Sequence, residues 1–142
     1  MKRLWPGIII VISFMILNGC VSVTTVETAR NFIAYDNGTV LDTRTNLMWA
    51  AKDNGSDINW ANAKSYCENY RGDGYTDWRM PTQNELSGLY ASGAHKNEVK
   101  ITGWIWVSEG ADTSFDFGDG KRAWSDPSDG DNNRALPVRS TK

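Results

Sequence analysis

Histidine and cysteine are nearly absent from this 142-residue chain, which has one of the first, His95, and two of the second, Cys20 and Cys67. So few soft ligands exclude a zinc-ligand cluster, and two cysteines are too few for the disulfide frameworks that staple small secreted domains. There is no Gly-X-Ser-X-Gly elbow, no phosphate loop and no dinucleotide fingerprint. None of the chemistry carried by those motifs is therefore expected. Basic runs are missing too. With 15 Lys and Arg against 17 Asp and Glu, and a formal charge of −2, nucleic acid is not an expected partner. No internal repeat and no Gly-X-Y period is present, which excludes solenoid and collagen architectures.

Long apolar runs are limited to one, Ile8 to Leu17. It is shorter than the ~20 helical residues that a bilayer requires. Lys2 and Arg3 precede it and Gly19-Cys20 follows, the pattern of a bacterial lipoprotein signal. Residues 1–19 are read as a cleaved signal peptide, 20–31 as a lipidated tether and 32–142 as one domain. Resemblance to bacterial lipoproteins implies a diacylglycerol on the Cys20 thiol and a third acyl chain on its freed amine. At ~0.8 kcal/mol per buried methylene, two or more chains hold a protein on a membrane almost permanently. Val21 and Ser22 stand where an aspartate would resemble an inner-membrane retention signal, so lipid-anchored delivery to the outer membrane of the bacterial cell envelope is expected. Cleavage also removes Lys2 and Arg3, which makes the mature chain more acidic than the whole.

Along the domain, Phe32 to Tyr35 and Thr39 to Leu41 flank Asp36-Asn37-Gly38, the signature of a tight β-hairpin. Leu47-Met48-Trp49 reads as a strand and Lys52 to Asn59 as a polar loop. Trp60, Ala63, Cys67 and Tyr70 recur at helical spacing behind Asn59 as N-cap. Arg71 to Gly74 stops this helix. Thr82 and Glu85 are spaced to cap one another at the start of a second helix whose inward stripe is Leu86, Leu89 and Tyr90. Ile101 to Val107 predicts a central strand, with Trp104 and Trp106 on one side. Phe115 to Phe117 and Ala123-Trp124 predict a second hairpin about Gly118-Asp119-Gly120, Asp126 to Asn133 a polar loop, and Ala135 to Arg139 a closing edge strand. Strands, two helices, then strands make an α+β domain.

Several blocks of this domain resemble the Legionella collagen-like protein C-terminal domain family. They are Asp36 to Trp49, Trp60 to Ala63 with Tyr66-Cys67, Asp77 to Thr82 with Glu85-Leu86, Trp106 to Ser108, Phe115 to Phe117, and Leu136 to Arg139. The resemblance implies a C-type-lectin-like architecture, with two helices packed on a small twisted antiparallel sheet. Its best-known member is an adhesin tail that trimerises and binds sulfated polysaccharides. Family members often carry a cysteine near the position of Pro137 that looks like a partner for the helix cysteine; its absence here implies an unpaired Cys67. A buried, inert thiol is the favoured reading, with intermolecular pairing or a redox role as its rival. The acidic balance does not suit a sulfated ligand.

The Glu-Pro-Asn or Gln-Pro-Asp triplet and the Trp-Asn-Asp of calcium-dependent lectins are both missing. Asp126, Asp129, Asp131 and Asn132 offer hard oxygen ligands, yet their spacing matches no EF-hand and is that of any exposed turn, so no metal or other cofactor is expected. A Cys67–His95 nucleophile pair conflicts with the buried position of Cys67, and no catalysis is expected. Arg71-Gly72-Asp73 is read as a helix stop and not as an integrin-binding tripeptide. Trp49, Trp60, Trp78 and Trp106 are assigned to packing. Trp104 and Trp124, with Lys121, Arg122, Asp126 and Asp129, form the expected binding surface. The function expected is a lipid-anchored envelope module that recognises extracytoplasmic carbohydrate or a surface protein, with a homo-oligomer compatible. The alternative is a structural or assembly subunit of an envelope or surface-fibre complex.

Overall fold

The computed structural model describes residues 31–142; the expected signal peptide, the expected lipid attachment at Cys20 and all but the last residue of the expected tether lie outside the described residues. The chain begins with the expected hairpin, β1 (Phe32–Ala34) and β2 (Thr39–Asp42). Its turn closes because the Asn37 side-chain oxygen accepts from the Thr39 amide at 3.1 Å and hydroxyl at 2.7 Å, while Gly38 supplies a φ of 82°. Next come β3 (Leu47–Ala50), α1 (Trp60–Asn69) and α2 (Gln83–Ser92). Asn59 caps α1 by accepting from the Asn62 amide. Thr82 and Glu85 form the reciprocal capping box at α2, and Arg79 grips both Glu85 oxygens at 2.9 and 2.7 Å. Arg71 to Gly74 makes the expected stop as a short 3₁₀ turn.

Four strands follow in β4 (Trp104–Trp106), β5 (Thr113–Asp116), β6 (Lys121–Trp124) and β7 (Asn133–Arg134), and β8 (Val138–Ser140) ends the fold. They build two four-stranded sheets, ordered β1-β2-β3-β8 and β6-β5-β4-β7, antiparallel except where β7 runs parallel to β4. The architecture is α+β. No helix among the described residues is long and apolar enough to cross a membrane.

Two strands are shorter than their apolar runs suggest. Ile101 to Gly103 lies outside β4, because the Thr102 amide and hydroxyl are drawn to the buried Asp53 carboxylate at 2.6 to 3.0 Å. Ala135 to Pro137 precedes β8 as a connector; the Ala135 amide donates to the Asn54 side chain, and proline has no amide to give a ladder. A two-residue strand, β7, begins where a loop was expected.

The main core joins Val40 and Trp49 of the first sheet, Leu86 and Leu89 of α2, and Ile105 and Phe115 of the second sheet. A smaller cluster beneath α1 holds Ala63, Cys67, Met80, Trp106 and Ala135. Trp106 also donates its indole N–H to the Ile58 carbonyl at 2.7 Å, and Trp60 donates to the Val107 carbonyl at 3.0 Å. The first bond ties the loop before α1 to β4, and the second ties the start of α1 to the residue that follows β4.

Candidate functional site

The loop of residues 52–59 lies on the body through backbone bonds, from Asp53 to Lys100, Asn54 to Ala135 and Ile58 to Asn133, at 3.0 to 3.2 Å. A second polar loop, residues 125–132, is built from its own short side chains. The Asp126 carboxylate accepts from the Ser128 amide and hydroxyl at 2.9 and 2.7 Å, and the Asp129 carboxylate accepts from the Asp131 amide at 3.1 Å. The Ser128 side-chain bond, then its backbone bond, holds the Asp126 carboxyl below the usual range. Asn132 takes a left-handed φ of 57° at the loop's end.

The two loops meet along a seam. Trp60 donates its amide to the Pro127 carbonyl at 3.2 Å. A Cβ at Gly130 would sit 2.4 Å from the Ile58 carbonyl carbon, so only glycine allows this approach.

An open cleft of about 490 Å³ runs beside the seam. Asp57, Ile58, Asn59 and Asn62 form one wall, and Ser128 to Asp131 the other. Both walls carry carboxylates, joined by the Asn59 and Asn62 amides on the first and the Ser128 hydroxyl on the second. Asp57 pairs with Arg134, and no lysine lines the cleft. Such a surface can accept hydrogen bonds from hydroxyl groups at several places at once. Among the described residues no group of three or more His, Cys, Asp or Glu side chains is arranged to hold a metal ion.

Of the expected binding residues, Asp129 lines this cleft, and Asp126 is engaged with Ser128 one turn earlier. None of the others lines the cleft. Register places Thr113 opposite Trp124, Phe115 opposite Arg122 and Ile105 opposite Phe115. Directly opposed side chains leave a sheet on the same face and successive ones alternate. Trp124 and Arg122 therefore share the face of Ile105, whereas Trp104 shares that of Trp106, so the expected joint Trp104–Trp124 platform is not formed. Trp124 is 72% exposed on the edge strand β6, Trp104 is half-buried, Lys121 lies 3.9 Å from Asp119, and Arg122 donates to the Thr113 hydroxyl. Asp57, Asn59 and Asn62 were not expected in the site. Asp57 and Asn59 belong to a loop with the same Asp, Asn and Gly composition as the other and Asn62 to the first turn of α1, but nothing local in the sequence pairs the two loops.

Trp49, Trp78 and Trp106 are buried as expected, and Trp60 is half-buried. Cys67 is free and fully buried, and burial, with a contribution from Glu68, pushes its thiol up to about 12. His95 packs elsewhere, stacked on Tyr90 at 5.1 Å and beside Phe117 at 5.3 Å. Burial, then Lys96, lowers its pKa. The two side chains share none of these neighbours.

The sequence profile of the Lcl C-terminal domain matches residues 38–140. No curated protein matches the chain.

Proposed function

Because the chain belongs to the Lcl C-terminal domain family, we propose that it is a binding module of the bacterial cell envelope, anchored by lipid at Cys20, whose two-loop cleft takes an extracytoplasmic saccharide without catalysis. The observation that carries this reading is the cleft itself. Its polar walls come from two loops that β4 and the helix α1 hold in place, and rigid scaffolds bearing such loops are the usual home of recognition sites. Hydroxyl-rich ligands match a wall of carboxylate and amide acceptors, whereas a sulfated chain would meet the like charge of Asp57, Asp129 and Asp131. A neutral glycan is the favoured class.

A glycan-array screen tests the assignment, run with the native protein and with Asp129→Ala and Asn62→Ala. Saccharide hits lost in both variants support it; hits retained in both, or no hits at all, refute it. The anchor has its own test, since Cys20→Ser should abolish partition into the detergent phase. Unchanged partition would contradict acylation.

One feature favours the second reading, an assembly subunit. The strand β6 is the open edge of its sheet and carries the exposed Trp124, an arrangement suited to strand addition by another protein. Envelope pull-downs that recover one stoichiometric partner, lost with Trp124→Ala, would select it over the glycan reading.

A further inference from the structure

The strand β6 ends its sheet, and its outer edge carries a definite pattern of backbone groups. Ser125 donates its amide to the Asp112 carbonyl, just before β5, at 3.0 Å. Backbone groups alternate in direction along an antiparallel strand, so those of Lys121 and Ala123 also turn towards β5, while the N–H and C=O of Arg122 and Trp124 turn outwards. Among the described residues no strand lies beyond them. The pairs from Thr113–Trp124 to Asp116–Lys121 run without a skip, so no bulge interrupts the edge, and no proline stands in it.

The side chains of this edge are self-complementary. Trp124 is the most exposed of the large apolar side chains, and among the described residues no ring or cation covers it. Arg122, on the same face, is exposed too, with a guanidinium bond to the Thr113 hydroxyl at 3.0 Å. The strand opens with Lys121-Arg122 and runs on into Asp126, Asp129 and Asp131. A second copy laid antiparallel along it therefore brings the cationic start of each strand towards the acidic loop of the other, whereas a parallel copy sets cation against cation. Outward-facing residues must meet outward-facing residues, which leaves few registers. Arg122 against Arg122 opposes like charges, and Trp124 against Trp124 calls on Asp126, which lies beyond β6 and is bound to Ser128. Arg122 against Trp124 sets guanidinium on indole twice and leaves Ala123 facing its own counterpart on the two-fold axis.

We propose that two copies of this chain dimerise through β6, joining their second sheets edge to edge about a two-fold axis at Ala123. Each Arg122–Trp124 pair exchanges both of its backbone hydrogen bonds, and each guanidinium lies over the indole of the other copy. This pairing rests on the assembly reading of the open edge, names its occupant, and pairs no residue that lines the saccharide cleft.

The two Ala123 residues, opposed in a pair without hydrogen bonds, would have Cα atoms about 4.5 Å apart, within reach of a disulfide, whereas the two Lys121 residues would stand about 13 Å apart along the strands. The protein is the full chain carrying Cys20→Ser, which leaves the buried Cys67 as its one native thiol. With Ala123→Cys added, air oxidation should give a covalent dimer on a non-reducing gel, and with Lys121→Cys it should not. Without added cysteine, sedimentation should show a monomer-dimer equilibrium, weak as contacts between short edges are. Trp124→Ala and Arg122→Ala, both at exposed positions, should each weaken it about ten-fold, the worth of two cation–π pairs. Equal cross-linking through Lys121→Cys and Ala123→Cys, a monomer or a trimer at every concentration, or dimerisation unchanged in both alanine variants would overturn this pairing. A monomer from which the envelope pull-down still recovers one partner through Trp124 would overturn the second copy alone and leave the assembly reading standing.

Discussion

Gly130→Ala is the sharpest probe of the seam that makes the cleft. The added methyl would stand 2.4 Å from the Ile58 carbonyl carbon and 2.7 Å from the Asn59 nitrogen, both backbone atoms that no rotamer change can move. Ordinary contact begins near 3.4 Å, so the loops must part by about 1 Å. Two bonds cross this seam, from Trp60 to Pro127 and from Ile58 to Asn133, both at 3.2 Å, and neither survives that separation. At about 1 kcal/mol net for each, the loss is about 2 kcal/mol. A domain of this size loses about 4 °C of Tm per kcal/mol, so melting followed by circular dichroism should fall by about 8 °C. Gly88→Ala is the control of opposite sign. Its methyl meets nothing, and alanine is favoured over glycine inside a helix by up to about 1 kcal/mol, so Tm should rise. Equal melting of Gly130→Ala and native protein would refute the close approach and, with it, the two-loop site.

Further outcomes follow from the same packing. Cys67 should resist iodoacetamide at pH 8 in the folded protein and react at once in denaturant, because burial keeps it protonated. Its folded pKa is raised, so the stability it brings is complete below the unfolded value of about 8.5 and declines as pH rises towards about 12, which alkaline unfolding curves of Cys67→Ala would reveal by a shallower fall. Burial acts to raise the Glu85 pKa, but hydrogen bonds from Arg79 and the Thr82 amide outweigh it and lower it. That contribution is present above the unfolded value of about 4.3 and lost as pH falls through the folded one, so Glu85→Gln should melt with weaker acid dependence than native protein. Trp106→Phe removes the donor to the Ile58 carbonyl and should cost about 1 to 2 kcal/mol in urea unfolding, with loosened amide protection across the loop of residues 52–59.

Local chemistry was legible wherever its partners are close in the chain. Asn59 caps α1, Thr82 and Glu85 cap each other, and Asn37-Gly38 closes a hairpin, each through residues two or three apart whose geometry the sequence states outright. Apolar runs overstated two strands for a related reason. Ile101 and Ala135 look like strand residues, but Asp53 and Asn54, far away in sequence, compete for the neighbouring backbone donors.

The amino-acid order by itself determined an α+β fold of the Lcl C-terminal kind, with two capped helices and two hairpins, since capping, turn chemistry and apolar period act over a few residues. Only the tertiary structure decided that the loops of residues 52–59 and 125–132 share a cleft, that Trp104 and Trp124 leave opposite faces of one sheet, and that Trp49 is buried with its N–H unmatched. The physical reason is parity and distance. A shift of one residue in register exchanges every side chain between the faces of a sheet, and two distant loops touch only where a missing side chain, at Gly130, lets their backbones meet.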